Sequence, residues 1–196
     1  MFNGIIYNQG KVKKISKRSD GIDLFIKSNL KVNNKEIGMS ISCDGVCLTL
    51  VSKKKDIFEF YLSKETLIRS KFKKIKIGDS INLETPLKFG QKISGHICQG
   101  HVDTQATVSK IKNKDKAKIF EFKMPKKFLN DLIEKASILV NGVSLTISKI
   151  NRDNFEIWVI PHTLKLTNLK NLNKNDSVNI EIDILSKYVK KNALKK

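Results

Sequence analysis

Apolar and polar residues alternate along much of the chain, and this alternation predicts short β-strands. In residues 177–183 (SVNIEID), Val178, Ile180 and Ile182 fall on one face of a strand and the polar side chains fall on the other. Residues 81–84 (INLE) repeat the pattern. Because a strand of this kind buries one face, both segments are expected to line a hydrophobic core.

Tight turns are predicted between such strands. The dipeptides Asp44-Gly45 and Asn141-Gly142 each lie between two apolar runs, and these dipeptides favour the positive φ angles of two-residue hairpins. Several short strands separated by turn residues predict a small closed barrel or a sandwich. Closure removes the edge strands that would otherwise pair with other molecules.

The chain contains the same unit twice. Residues 38–84 align without a gap with residues 135–181, and 16 of the 47 aligned positions are identical. Residues 4–6 fall against residues 100–102, one position out of register. A period this long indicates a duplicated domain rather than a solenoid. Two similar domains carry two similar pockets, which suits a protein that handles two similar molecules.

Two segments have the periodicity of amphipathic helices. Residues 125–136 begin with Pro125, which suits a first helical turn, and place these apolar residues at helical spacing: Phe128, Leu129, Leu132 and Ile133. Residues 184–196 place a second group on one stripe: Ile184, Leu185, Tyr188, Val189 and Leu194. We expect this stripe to pack against another subunit, and the alternative is a helix docked on its own barrel.

The composition is that of a basic globular protein. The 196 residues include 38 Lys+Arg and 19 Asp+Glu, a formal net charge of +19, and 40% are hydrophobic. Such a charge first suggests a nucleic-acid partner. However, all but three of the basic residues are lysines, and they are scattered, whereas bidentate recognition favours arginine. The charge is therefore interpreted as a solvated basic surface.

The sequence patterns also argue against a membrane segment, a leader and a metal site. No apolar run approaches the ~20 residues of a spanning helix, and the start MFNGIIYNQGKVKK is unlike a signal peptide. We therefore expect a cytoplasmic protein with no membrane partner. Cys43, Cys47 and Cys98 fit no zinc pattern and are expected to be reduced thiols. The spacing of His96 and His101 is also poor for a metal.

Six segments, in order along nearly the whole chain, resemble motifs of the riboflavin synthase family, α-chain type. They are MFNGII at 1–6, DGVCLTL at 44–50, GHICQGHVD at 95–103, NGVSLTI at 141–147, VIPHTLKLTNL at 159–169 and VNIEIDILSKYV at 178–189. The resemblance implies an all-β fold of two homologous six-stranded Greek-key barrels plus a C-terminal helix. The implied domains are an N-terminal lumazine-binding barrel at 1–95, a C-terminal one at 96–183 and a trimerisation helix at 184–196.

The resemblance also implies a transferase reaction. Two molecules of 6,7-dimethyl-8-ribityllumazine react by transfer of a four-carbon unit, giving riboflavin and 5-amino-6-(D-ribitylamino)uracil, and no cofactor or metal is implied. In the family, each active site lies between the N-barrel of one subunit and the C-barrel of a neighbour in a homotrimer. Lumazine synthase is a candidate partner.

Four positions are candidates for catalysis. Cys47 stands where the second repeat has Ser144, and a thiol can add to an electrophilic ring carbon or take a proton as thiolate, whereas a serine needs a base. His101 stands where the first repeat has Ile5, and a histidine can carry a proton near neutral pH. Asp183 aligns with an acidic family position near the site.

Small hydroxyl groups, strand edges and two equivalent loops are expected to contact the substrate. Hydroxyls suit a uracil-like edge and a ribityl chain, and Lys135 matches a family position that contacts ligand. The predicted substrate-binding residues are Gly4, Ile5, Ile6, Ser40, Cys47, Leu48, Thr49, Tyr61, Leu62, Ser63, Lys64, Glu65, Thr66, Gly100, His101, Val102, Lys135, Ser144, Leu145, Thr146, Val159, Ile160, Pro161, His162, Thr163 and Leu164. His96 is interpreted as structural.

Two other functions are weighed against this one. The first is a non-catalytic relative, similar to the lumazine-binding fluorescent proteins, which would be expected to lose the pocket motifs of one barrel; here both repeats keep G-V-x-L-T. The second is a basic barrel that binds nucleic acid, which would expose aromatic residues for stacking. The aromatic residues of the apolar strands are expected in the core instead: Phe58, Phe60, Phe120 and Phe122.

The chain departs from the family pattern at a few positions. Single departures are Asn3, Cys98 and Ala136. In addition, the first repeat reads Ser70-Lys71-Phe72 where the second keeps Thr167-Asn168-Leu169.

Overall fold

The first half of the chain folds into a closed six-stranded antiparallel barrel. The computed structural model describes residues 1–193. The strands are β1 (Asn8–Lys17), β2 (Gly21–Ser28), β3 (Ser40–Cys43), β4 (Val46–Lys54), β5 (Ile57–Ser63) and β6 (Ser80–Glu84). Their order around the barrel is β1-β2-β5-β4-β3-β6, with β6 pairing back onto β1. This non-sequential order is a Greek key.

The second half repeats the same topology. Its strands are β7 (Thr104–Lys114), β8 (Ala117–Lys123), β9 (Ser137–Val140), β10 (Val143–Ile150), β11 (Asn154–Val159) and β12 (Ser177–Ile182). They close in the order β7-β8-β11-β10-β9-β12. The predicted fold class, two homologous six-stranded barrels, is therefore confirmed. The boundaries at residues 95 and 183 stay a prediction.

The sequence patterns for the hairpins and the core are also confirmed. Asp44 and Asn141 have φ of 45° and 46°, and the glycine after each has φ of 78° and 77°. These values suit the tight turns between β3 and β4 and between β9 and β10. The four phenylalanines predicted in the cores are at most 1% exposed: Phe58, Phe60, Phe120 and Phe122.

Helices are few and short. They are α1 (Lys64–Arg69), α2 (Lys126–Leu129), α3 (Pro161–Leu166) and α4 (Ile184–Ala193), with short 3₁₀ turns at Asn34–Glu36, Lys71–Lys74 and Asn168–Asn171. The helices α1 and α3 follow β5 and β11 at equivalent positions. The α1 helix begins after Ser63, whose hydroxyl accepts a hydrogen bond from the Thr66 N–H at 3.2 Å.

The helix predicted over residues 125–136 is wrong in length. Only Lys126–Leu129 is α-helical, and the chain then passes through turns. Leu129 and Leu132 are buried in the second barrel, so the apolar spacing reflects two anchor points rather than a continuous helix. The turns bring Lys135, which has φ of 68°, to where its N–H donates to the Ile147 carbonyl at 2.9 Å.

The polar faces of β6 and β12 are buried. Alternation correctly placed the apolar residues of these strands in the cores, but Asn82 and Asn179 are 0% and 1% exposed. In each case the other barrel covers the face that would otherwise contact water. Asn82 donates from Nδ2 to the Asn141 carbonyl, and Asn179 donates from Nδ2 to the Asp44 carbonyl, both at 2.9 Å. The two barrels thus meet through a polar interface related by pseudo-twofold symmetry.

The C-terminal helix α4 is held to the second barrel by ion pairs. Lys187 pairs with Asp103 at 2.7 Å, and Lys190 pairs with Asp131. Its apolar stripe is left exposed, with Leu185, Tyr188 and Val189 at 69%, 62% and 69%. Leu194, also assigned to the stripe, lies outside the described residues, as does the rest of the predicted helix beyond residue 193. Among residues 1–193, no helix is long and apolar enough to cross a membrane.

Candidate functional site

Two short segments cross from one barrel onto the surface of the other. The Gly4 carbonyl accepts a hydrogen bond from the Ser144 N–H at 2.8 Å, and the Gly100 carbonyl accepts one from the Cys47 N–H at 2.8 Å. Both glycines have positive φ, 72° and 77°. A Cβ atom on either glycine would lie 2.7 Å from the Cβ of Ser144 or Cys47. Glycine is therefore needed for the close approach.

The crossing also exchanges core residues. Ile6 is 3% exposed and belongs to the hydrophobic core of the second barrel. Val102, in the equivalent segment, packs against the core of the first barrel. Residues 4–6 therefore serve the second barrel, and residues 100–102 serve the first.

A glutamate anchors each crossing segment. The carboxylate of Glu84 accepts hydrogen bonds from the N–H groups of Asn3 at 2.7 Å and Gly4 at 3.0 Å. Burial raises the pKa of Glu84 to about 7, against the opposing effect of these backbone donors. The carboxylate thus fixes the segment that borders Ser144.

Glu181 plays the same part in the other segment. It accepts hydrogen bonds from the N–H groups of Gln99 at 2.6 Å, Gly100 at 2.8 Å and His101 at 2.9 Å. Burial raises its pKa as well, and the backbone donors and Lys187 oppose that shift. Neither glutamate was singled out from the sequence, although their identity at equivalent positions of the two repeats was an available signal.

The first candidate site lies on the outer face of the first barrel. In β4, Val46, Leu48 and Leu50 are buried in the core, so Cys47 and Thr49 face outward. Further residues complete the site. The β4–β5 register pairs Leu50 with Phe60, and continuing it by one residue places Tyr61 beside Thr49. We call Cys47, Thr49, Tyr61, Thr66 and residues 100–102 the N-barrel site.

His101 enters the N-barrel site with its backbone. His101 follows Gly100, whose carbonyl accepts the hydrogen bond from the Cys47 N–H. His101 itself is exposed. Cys47 is partly exposed, so a ligand in solution can reach it. Two of the predicted catalytic residues are therefore brought to the same site.

The second candidate site is the equivalent face of the second barrel. Its residues are Ser144, Thr146, Trp158, Thr163 and the crossing residues 4–6, and we call it the C-barrel site. Ser144 Oγ lies 2.7 Å from His96 Nδ1, so His96 is part of this site. Burial lowers the pKa of His96, and the nearby Asp183 opposes the shift. A neutral imidazole of this kind can accept the serine proton.

Asp183 belongs to the same side of the molecule. It lies between β12 and α4, and its Oδ1 accepts a hydrogen bond from the Leu185 N–H at 2.9 Å. The four predicted catalytic residues thus divide into Cys47 with His101 on one barrel and Ser144 with Asp183 on the other. Their chemical roles stay predictions. His96 was interpreted as structural, because sequence spacing alone does not connect it to Ser144.

Several predicted substrate-binding residues can offer only their main chain. Ile6, Leu48, Leu62 and Val159 are at most 4% exposed and lie in the barrel cores. Leu145 is partly buried and packs against the second core. Any ligand contact at these positions therefore uses backbone N–H and C=O groups.

The remaining predicted contacts lie on the surface around the two sites. Ser40 begins β3 and pairs with Thr49, while Lys135 is exposed just before β9. The two loops after β5 and β11 contain exposed residues at Lys64, Glu65, Ile160, Pro161 and His162, and partly exposed ones at Ser63, Thr66, Thr163 and Leu164.

Both sites lie on the outer faces of the barrels. Separately, a concave cleft of about 690 Å³ lies between the barrels, lined in part by Lys71, Lys74, Asp79, Asn168 and Asp176. Within residues 1–193, no three His, Cys, Asp or Glu side chains are arranged to hold a metal ion. The two sites contain a thiol, hydroxyls, imidazoles and carboxylates.

Comparison with known proteins gives this arrangement a family. Residues 3–86 and 99–183 each match the lumazine binding domain family. The chain is 35% identical to a riboflavin synthase of Brucella abortus, over 96% of each chain. The chain belongs to the riboflavin synthase family. Another relative, a riboflavin synthase of Chlamydia pneumoniae, is 37% identical over 95% of this chain and 92% of its own.

Solved structures agree with this membership in the riboflavin synthase family. The fold is similar to LumP complexed with riboflavin, with a TM-score of 0.82 and 27% identity over 92% of this chain and 98% of that chain. LumP complexed with 6,7-dimethyl-8-(1'-D-ribityl) lumazine has a TM-score of 0.80 and 28% identity, over 93% and 99%. The resemblance drawn from the sequence motifs is therefore confirmed.

Proposed function

We propose that this protein is a riboflavin synthase that converts two molecules of 6,7-dimethyl-8-ribityllumazine into riboflavin and 5-amino-6-(D-ribitylamino)uracil. The observation that carries the proposal is the pair of equivalent open sites with unequal reactive groups. A dismutation needs two sites for the same molecule, one for the donor of the four-carbon unit and one for the acceptor. The N-barrel site offers a thiol, and the C-barrel site offers a serine paired with a histidine.

Alignment of the two substrates supplies most of the catalysis in this proposal. The 7-methyl protons of the lumazine are acidic because the ring delocalises the resulting anion, and ring carbon C7 is electrophilic. Holding two such rings face to face can contribute ~7–11 kcal/mol to lowering the barrier. General acid–base catalysis adds a further ~10²–10⁴-fold.

The reactive side chains are assigned by the site that contains them. Cys47 lies near C7 of the acceptor molecule in the N-barrel site, where its thiol adds to the ring or takes a proton, and His101 carries protons there. In the C-barrel site, the Ser144 hydroxyl donates to His96, and its oxygen accepts a hydrogen bond from the other lumazine. The negative charge of the Asp183 carboxylate stabilises a protonated His96 in that site.

The assembly is proposed to be a homotrimer in the cytoplasm, with lumazine synthase as a candidate partner. Each complete active site then combines the N-barrel site of one subunit with the C-barrel site of a neighbour. The exposed apolar stripe of α4 supports this assembly, because Leu185, Tyr188 and Val189 are each more than 60% exposed in the single chain. A charge of +19 per chain opposes association at low salt.

The proposed reaction is tested by mixing the purified protein with 6,7-dimethyl-8-ribityllumazine and following riboflavin formation by absorbance. Turnover that yields one riboflavin for every two lumazines consumed is the expected result. Tight binding of lumazine without turnover would instead assign the protein to the non-catalytic class of binding proteins.

The proposed assembly is tested by light scattering. We expect a trimeric mass that falls when residues 184–196 are deleted, and a trimer that tightens as salt rises from low concentration because the repulsion between basic chains is screened. An unchanged mass after the deletion would contradict the role given to the helix.

A further inference from the structure

The only tryptophan of the chain lies on the outer face of the second barrel, beside the C-barrel site. In β11, Phe155, Ile157 and Val159 are at most 1% exposed and fill the core, while Trp158 points outward and is 42% exposed. Its ring is therefore accessible to a ligand. This residue was not among those predicted from the sequence.

The strand register places Trp158 next to the polar groups of the site. The β10–β11 pairing ends with Ile147 opposite Ile157, and Thr146 and Trp158 are the next residues of the two strands beyond that pair. Ser144 precedes Thr146 by two residues in β10, on the same face. The indole and the two hydroxyls therefore lie on the outer face of neighbouring strands.

On its other side, Trp158 is paired with an apolar residue of β8. Ile119 of β8 pairs with Trp158 and is only 6% exposed although it lies on the outer face. The Lys114 ammonium lies 5.1 Å from the centre of the indole ring. The described contacts include no hydrogen bond of the indole N–H, so this donor is available to a ligand.

The first barrel has an aromatic residue at the equivalent position. Tyr61 lies beside Thr49, and the Arg18 guanidinium lies 5.8 Å from the centre of its ring. Its hydroxyl donates to the Asp20 carbonyl at 3.1 Å. An aromatic ring therefore borders the reactive groups in both barrels, and the indole of the second barrel is larger and lacks this tether.

We propose that Trp158 binds the planar ring of a lumazine or flavin at the C-barrel site by stacking. The inference rests on the proposed function, because it names the residue that holds the ring of that ligand. An indole is rich in π-electrons and the pteridine and isoalloxazine rings are poor in them, so stacked contact between them is favourable. The neighbouring hydroxyls of Ser144 and Thr146 then fix the orientation of the ring in its plane.

The first measurement is the affinity for riboflavin, which binds without reacting. Stacking of a base on an aromatic residue is worth about 1–3 kcal/mol, or about 5–150-fold in affinity. We expect Trp158→Leu to weaken one class of riboflavin sites by at least about tenfold. Trp158→Phe, which keeps a ring, should weaken that class less. Affinities within about twofold of wild type in both variants would overturn the proposal.

The second measurement reports contact rather than fold. An indole stacked on a flavin quenches the flavin emission by electron transfer at short range, and neither leucine nor phenylalanine does so. In time-resolved fluorescence, we expect a rapidly decaying population of bound riboflavin that disappears in both Trp158→Leu and Trp158→Phe. A decay unchanged in Trp158→Phe, with wild-type thermal unfolding, would mean that Trp158 only covers Ile119.

Turnover of lumazine separates this inference from the proposed function. Wild-type protein that binds riboflavin through Trp158 but forms no product would refute the reaction and keep the stacking residue. Normal turnover with riboflavin affinity and decay insensitive to Trp158→Phe and Trp158→Leu would keep the reaction and refute the stacking residue.

Discussion

The two barrels share one topology but differ in the charge they place at their common interface. In the first repeat the interface contains Asp44 and Lys71, and the equivalent positions of the second repeat are Asn141 and Asn168. Lys71 Nζ lies 2.6 Å from Asp44 Oδ2, and the Asp44 side chain is fully buried. Burial raises the pKa of Asp44, and the charge of Lys71 opposes the shift.

The hydrogen-bonded frame around this pair is nearly symmetric. The Lys71 N–H donates to Asn179 Oδ1 at 2.7 Å, and the Asn168 N–H donates to Asn82 Oδ1 at 2.8 Å. The two equivalent hydrogen bonds both use backbone N–H donors, so they are kept although the side chains at positions 71 and 168 differ. The comparison teaches that a charge can enter one copy of a duplicated interface when its counter-ion enters with it, because an unpaired buried charge is costly.

The largest expected effect comes from removing one member of the pair. Lys71→Asn leaves the Asp44 carboxylate buried without its counter-ion, so we expect the free energy of unfolding to fall by about 3–5 kcal/mol. The double variant Asp44→Asn with Lys71→Asn reproduces the neutral pair of the second repeat. It should unfold within about 1 kcal/mol of wild type in urea. Additive losses in the double variant would contradict the coupling.

The next effect concerns the two turns that meet at the interface. A Cβ atom on Gly45 would lie 2.8 Å from the Gly142 nitrogen, and Gly45 has φ of 78°. We expect Gly45→Ala to cost about 3 kcal/mol, measured by chemical denaturation, from the clash together with the left-handed backbone. Gly78→Ala is the matched control, because Gly78 has φ of 93° and open space around it. An equal loss of stability in both variants would show that the contact between the two turns does not limit how closely the barrels approach.

The asymmetry of the two sites predicts unequal kinetic effects. Cys47→Ser makes the N-barrel site resemble the C-barrel site, and we expect kcat to fall at least about tenfold, which is about 1.4 kcal/mol. The reverse change, Ser144→Cys, weakens the hydrogen bond to His96 and should reduce kcat less. Turnover by Cys47→Ser within about threefold of wild type, with an intact fold by circular dichroism, would remove the thiol from the mechanism.

The pH dependence of stability distinguishes the two anchoring glutamates. Because the pKa of Glu84 is raised from 4.5 to about 7, its carboxyl stabilises the fold below pH 4.5, and this contribution is lost as the pH rises towards 7. We expect a loss of about 3 kcal/mol over that window, which Glu84→Gln removes. Glu181→Gln should flatten the curve less, because Lys187 lowers the pKa of Glu181. Equal slopes in wild type and Glu84→Gln would contradict the assignment.

Much of the fold follows from local patterns in the sequence. The internal repeat indicates two copies of one domain, and the alternation in SVNIEID with the two hairpin dipeptides indicates a small barrel or a sandwich in each copy. The choice of two six-stranded barrels comes from the resemblance to the family. The helix predicted over residues 125–136 fails because the apolar spacing of Leu129 and Leu132 is equally compatible with turns that bury both residues.

The site could be predicted less completely, because it depends on contacts between distant residues. Alternation treats the second face of β6 and β12 as solvated, whereas the partner barrel buries Asn82 and Asn179. Likewise, nothing in the spacing of His96 and Ser144 reveals their hydrogen bond across 48 positions. The motifs identify Cys47 and Ser144. Only the folded structure shows that the crossing segment 100–102 borders Cys47 and the crossing segment 4–6 borders Ser144.

The exchange of Ile6 and Val102 between the cores bears on how such a chain can be divided. The core of each barrel includes a residue from the segment that precedes the other barrel in the sequence. A half-chain on its own therefore lacks one core residue and has no barrel for its own crossing segment to pack on. Two identical half-chains can repair both defects by reciprocal insertion. The tandem chain thus has the arrangement of two such swapped half-chains joined covalently, with a different reactive group in each half.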